Sequence, residues 1–117
     1  MNTERKTKKI TVRFPKRMKS EMQLTLVKGG YGLNGKSRWL KESISTFLKL
    51  KDFIDYVDQG ININQAELSE VEAFYLDIET IQMLKDAYLQ VRVNNPLFEG
   101  IQSALIRTAV VYQLMLK

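Results

Sequence analysis

From Lys9 to Phe14 the chain alternates polar and apolar residues: Lys9, Ile10, Thr11, Val12, Arg13, Phe14. Side chains of a strand point to opposite faces in turn, so Ile10, Val12 and Phe14 share one side and Lys9, Thr11 and Arg13 the other. Pro15 follows at once and stops the strand, because it has no amide hydrogen to continue a ladder. The result is a short strand with one apolar face and one face of hydrogen-bond donors. A face of that kind suits a β-ribbon lying against base edges in the DNA major groove.

The charge is divided unevenly along the 117 residues. Residues 1–51 hold 14 Lys/Arg against 3 Asp/Glu, a net of +11. Residues 52–117 hold 4 against 10, a net of −6. The overall pI near 9.5 therefore understates how basic the first half is. Nucleic acid is the natural partner of such a surface, and a solvated basic face balanced by an acidic half is the plain alternative.

The chain has neither histidine nor cysteine, which removes most transition-metal sites and the usual nucleophile–base pairs. Its carboxylates are scattered and none pairs off as an acid/base couple. Gly29-Gly30-Tyr31-Gly32 follows a helical pattern instead of opening one after a strand, so it reads as a helix cap and turn, not a phosphate loop. These features predict no enzyme, no cofactor and no metal. No apolar run is long enough for a membrane span, and the basic N-terminus has no apolar segment behind it, so a cytoplasmic location is the default.

Residues 1–8 read as a flexible basic arm. Met18, Met22 and Leu26, with Val27 beside them, place a helix over Lys16–Lys28, ended by Gly29 and Gly30. A second helix begins near Gly35–Ser37. Its apolar positions Trp39, Leu40, Ile44, Phe47, Leu48, Phe53, Ile54 and Val57 carry it to about residue 57. Trp39 and the methionines read as core filler. A polar connector spans 58–70.

The second half repeats the order. Val71–Leu76 reads as a strand, with Phe74 and Leu76 on one side and Ala73 and Tyr75 on the other. Asp77 is placed to cap a helix carrying Ile81, Leu84, Tyr88 and Val91, which Asn94-Asn95-Pro96 interrupts. A last helix runs from about Gly100, with Leu105, Ile106, Ala109, Val110 and Leu114 inward. Ser37-Arg38-Trp39-Leu40-Lys41-Glu42-Ser43-Ile44 parallels Ser103-Ala104-Leu105-Ile106-Arg107-Thr108-Ala109-Val110 in residue type, so the halves form a weak repeat.

The pattern resembles the ribbon-helix-helix family of DNA-binding proteins (the Arc/MetJ type), in the tandem single-chain form of TraY-type proteins. Residues 9–57 correspond to one unit and 71–117 to a second, diverged one. The resemblance implies a mainly α fold with a short two-stranded antiparallel β-ribbon, the two units forming one folded pseudodimer. It implies that Lys9, Thr11 and Arg13 read bases, with a weaker contribution from Tyr75. It also implies a phosphate clamp at the start of the second helix, from Gly35, Lys36, Ser37 and Arg38, with Ser103 as its weaker counterpart. Arg5, Lys6 and Lys8 add backbone contacts. In the second strand Val71, Ala73 and Tyr75 stand where the first has Lys9, Thr11 and Arg13, and Glu99 lies near the second clamp. The site read should therefore be asymmetric, with further copies on adjacent DNA raising affinity.

The expected function is sequence-specific binding of double-stranded DNA by a prokaryotic or mobile-element transcriptional regulator, a repressor in the first instance. A conjugative-transfer accessory protein uses the same chemistry. A different class of reading makes the acidic second half a docking surface for a basic protein, as in an antitoxin.

Overall fold

The computed structural model describes residues 6–32, 35–60 and 65–116. Strand β1 spans Thr7–Phe14, and Ile10, Val12 and Phe14 are buried while Lys9, Thr11 and Arg13 are exposed. It begins earlier than the alternation alone indicates: Thr7 and Lys8, expected in the arm, are paired opposite Asp77 and Leu76. A partner strand supplies ladder bonds to residues whose own pattern is uninformative.

Pro15 opens helix α1, Lys16–Lys28, and its carbonyl accepts from the Lys19 amide at 3.1 Å. Met22 and Leu26 are buried and Met18 is partly so. Val27, expected beside them, is exposed, since a step of about 100° carries it off the stripe. Gly29 ends the helix as its C-cap, with its amide donating to the Thr25 carbonyl.

Helix α2, Lys36–Leu48, buries Trp39, Leu40, Ser43, Ile44 and Phe47. The helix expected to reach residue 57 breaks at Lys49–Asp52, and a separate helix α3 runs over Phe53–Gly60. Packing explains the break. In one straight helix Phe47 and Phe53 would lie about 9 Å apart along the axis and on different sides. The turn brings their rings to 6.0 Å, edge to face. α3 buries Phe53 and Val57 and continues to Gly60, so it occupies the first residues of the expected connector. A single 3₁₀ turn, Gln65–Glu67, precedes the next strand.

Strand β2 spans Glu70–Asp77, one residue longer at each end than expected. Asp77 caps α4, Ile78–Asn94, its carboxylate accepting from the Thr80 amide at 2.9 Å. The turn after α4 is fastened by Arg92, which donates to the carbonyls of Pro96 and Phe98. Gly100, at φ 79°, leads into α5, Ile101–Met115. Ile101, Ala104, Leu105, Ile106, Ala109 and Val110 of α5 are buried. The methionines are not uniformly core filler, because Met115 is 76% exposed on this helix.

The fold is mainly helical with one two-stranded antiparallel sheet, β1 against β2. Phe14 and Phe74 meet edge to face beneath it at 6.2 Å. The helices cross over: α2 packs against β2, α5 against β1, and α2 and α5 against each other. One apolar core therefore draws on both halves. Among the described residues no helix is long and apolar enough to cross a membrane.

The Asp77 carboxyl is held well below the usual carboxylate range, first by the hydrogen bond from Lys41 and then by those from Thr80. Its contribution to stability is therefore present above the unfolded value near 3.9 and is lost as pH falls toward the lower folded value. Asp77→Ala should cost about 0.5–2 kcal/mol in chemical unfolding at pH 7. Asp77→Asn should keep the cap, cost less, and remove part of the acid sensitivity.

Candidate nucleic-acid interface

The outward face of the ribbon is built by register. Lys9 lies opposite Tyr75, Thr11 opposite Ala73, and Arg13 opposite Val71. Val71 and Tyr75 are 53% and 55% exposed, and Lys9, Thr11 and Arg13 are exposed as well. Among the described residues, none gives the side chains of Lys9, Thr11 or Arg13 a hydrogen bond or ion pair. Glu70 and Glu72 of β2 lie on the other side. Lys19 bridges Glu70 and Glu72 at 3.5 and 3.0 Å, and Lys36 holds Glu72 at 2.9 Å. Asp77, at the end of the outward row, is taken up by α4 and by Lys41 at 2.7 Å. Among the described residues, the exposed centre of the ribbon thus has two unpaired cations and no carboxylate.

Burial alone would raise the Glu72 carboxyl, but the hydrogen bonds and charges of Lys36 and Lys19 outweigh it and hold it below its ordinary value. Lys19 is correspondingly raised, chiefly by its hydrogen bond to Glu72.

The start of α2 differs from a clamp of free cations. Lys36 is committed to Glu72 and lies 5.4 Å from the centre of the Phe74 ring, so it braces the ribbon. The Gly35 amide donates to the Gly32 carbonyl at 3.2 Å and is likewise occupied. A side chain at position 35 would also come within 2.9 Å of Tyr31 Cβ, which explains the glycine. Ser37 Oγ accepts from the Tyr75 amide at 2.9 Å, joining α2 to the free edge of β2. Its hydroxyl proton remains able to donate. Arg38 is exposed, its guanidinium 4.7 Å from the centre of the Tyr31 ring, while the Tyr31 hydroxyl donates to Glu42. That bond raises the Tyr31 pKa. Ser37, Arg38, Lys41, Tyr75 and Thr7 border an open cleft of about 400 Å³ beside the ribbon end.

Lys6 is exposed near Lys41 and Glu79, and Lys8 is exposed at the end of β1. Arg5 lies outside the described residues. Ser103 is half-buried in the first turn of α5. Neither α2 nor α5 has a side-chain hydrogen bond at its N-cap. Their caps are Gly35 and Gly100.

One contributor was not singled out by sequence. Arg107 is only 8% exposed, and its guanidinium donates to the Arg13 carbonyl at 3.1 Å. Burial lowers its pKa from the ordinary arginine value. A lone cation within Ala104-Leu105-Ile106-Arg107-Thr108-Ala109 was the available signal. Its counterpart in the repeat, Lys41, reaches Asp77 of β2. Lys41 of α2 and Arg107 of α5 therefore each reach the strand of the other half.

Among the described residues no group of three His, Cys, Asp or Glu is placed to hold a metal ion. No protein-family model, curated protein or solved structure matches the chain.

Glu72→Gln should reduce stability on the order of 1 kcal/mol at neutral pH by weakening both lysine pairs. Because the folded carboxyl lies below its unfolded value, the deficit should shrink as pH falls through the carboxylate range. Urea titrations of both proteins at pH 7 and pH 3 measure it, and a deficit independent of pH would contradict the ion-pair role.

Proposed function

We propose that the chain is a sequence-specific double-stranded DNA-binding protein, a tandem ribbon-helix-helix pseudodimer acting in the cytoplasm as a transcriptional regulator, in the first instance a repressor. The observation that carries this reading is the outward ribbon face, where Lys9, Thr11 and Arg13 stand exposed with no carboxylate beside them among the described residues. Arginine can grip guanine O6 and N7 with two hydrogen bonds, and threonine offers a hydroxyl and a methyl group.

The pseudodimer is supported by register. Aligning Leu76 with Phe14 makes Ala73 the equivalent of Thr11, and these two residues are partners in the ribbon. Equivalent residues face each other at a twofold axis, so the alignment and the strand pairing point to the same centre. The crossed packing of α2 on β2 and α5 on β1 has the same symmetry.

Phosphate contacts fall to the helix start that carries Ser37 and Arg38, and to Lys6 and Lys8 around the ribbon end. Lys36 acts through the ribbon it braces. Further copies on adjacent sites would add affinity. An accessory role in conjugative transfer would use the same surface. The docking reading of the acidic half is less well supported, because Glu70, Glu72, Asp77 and Asp58 are engaged internally by Lys19, Lys36, Lys41 and Asn95.

Selection from random duplexes, followed by binding measurements, tests the reading. Arg13→Ala should cost about 1–3 kcal/mol on the selected site and little on random DNA. Equal losses on both would remove Arg13 as a base reader. Affinity of the unaltered protein should fall steeply with added salt, since phosphate contacts release counterions.

A further inference from the structure

Resting on the DNA-binding reading above, we infer that Val71, Ala73 and Tyr75 of β2 read thymine through its 5-methyl group. The ribbon then presents, rung by rung, one hydrogen-bond donor and one apolar contact.

The pairing of unlike residues is a matter of register. Lys9 faces Tyr75, Thr11 faces Ala73 and Arg13 faces Val71. Cross-strand neighbours stand about 5 Å apart at Cβ, and successive outward rungs about 6.7 Å apart. That rung spacing is close to two base pairs of B-DNA at about 3.4 Å each. Each rung therefore covers a two-base-pair step, with a donor over one part of the groove floor and an apolar side chain over the other. In the major groove the only apolar group on a base edge is the thymine methyl. Burying Val71 or the Tyr75 ring against it leaves no polar group unsatisfied, and the tyrosine hydroxyl stays free to bond at the rim.

Lys9 and Arg13 select this occupant over an apolar protein surface. Both lie one strand-width from the apolar row and have no partner among the described residues. A hydrophobic partner seated on Val71 and Tyr75 would enclose these two cations without compensation, which is costly. Base edges and phosphates in the groove provide acceptors for both. The site class that follows is a short asymmetric duplex in which guanine contacts and thymine methyls alternate beneath the rungs.

The test uses the full chain and the duplex it selects from random DNA, compared with the same duplex carrying deoxyuridine in place of every thymidine. This exchange removes the methyl groups and keeps every hydrogen-bonding edge. The unaltered protein should bind the uracil duplex more weakly, by about fourfold for each methyl in contact. In Val71→Ser/Tyr75→Ser the thymine-to-uracil ratio should fall toward one, whereas Arg13→Ala should lose affinity on both duplexes and keep the ratio. Circular dichroism and urea unfolding establish that each variant is folded. Equal binding of both duplexes by the unaltered protein would overturn the methyl reading and leave DNA binding standing. A uracil penalty that persists in the double variant would assign it to duplex shape and overturn the role of β2. Failure to prefer any duplex over random DNA would overturn the DNA-binding reading and this inference together.

Discussion

The pairing of β1 with β2 is the interaction on which the rest of the structure depends. Each strand is amphipathic, and a two-stranded ribbon alone is marginal in water. The pair becomes stable because Ile10, Val12, Phe14, Phe74 and Leu76 form one apolar underside that α2 and α5 cover from the opposite halves. Antiparallel pairing also sorts the charge. It leaves Lys9 and Arg13 on the outside and turns Glu70 and Glu72 toward Lys19 and Lys36. The exposed positive face follows from the same alternation that builds the core.

The helices do more than cover the ribbon. Ser37 takes the Tyr75 amide, Lys41 takes Asp77, and Arg107 takes the Arg13 carbonyl. These bonds fasten both strands to helices of the other half, so the outward side chains project from a backbone held along its edges. Such bracing suits groove recognition, where a donor must meet a base edge within hydrogen-bonding distance.

Much of the fold was legible locally. Period-two alternation marked the first strand, the run Val71–Leu76 marked the second, Asp77 announced the start of α4, and Asn94-Asn95-Pro96 its end. The break at Lys49–Asp52 was not, because an apolar stripe does not show that Phe53 must return to Phe47. Nor did sequence indicate that Thr7 and Lys8 join the strand, which depends on a partner residue far along the chain. The same limit applies at the candidate interface. The exposure of Lys9, Thr11 and Arg13 was readable because it follows from alternation. Lys36 read as a free cation until β2 placed Glu72 beside it. Arg107 looked like one more repeat residue until α5 was laid under Arg13.

The ribbon joins strands separated by most of the first half of the chain, and this sets an order of events during synthesis. Ile10, Val12 and Phe14 leave the ribosome well before residues 70–77 exist to pair with them. Until then β1 has an unpaired edge and an uncovered apolar face. The first half therefore cannot finish folding until the second is made, and contacts this distant in sequence close slowly. The half with the larger positive charge is also the one that must wait, and its self-repulsion helps keep it apart from its neighbours meanwhile.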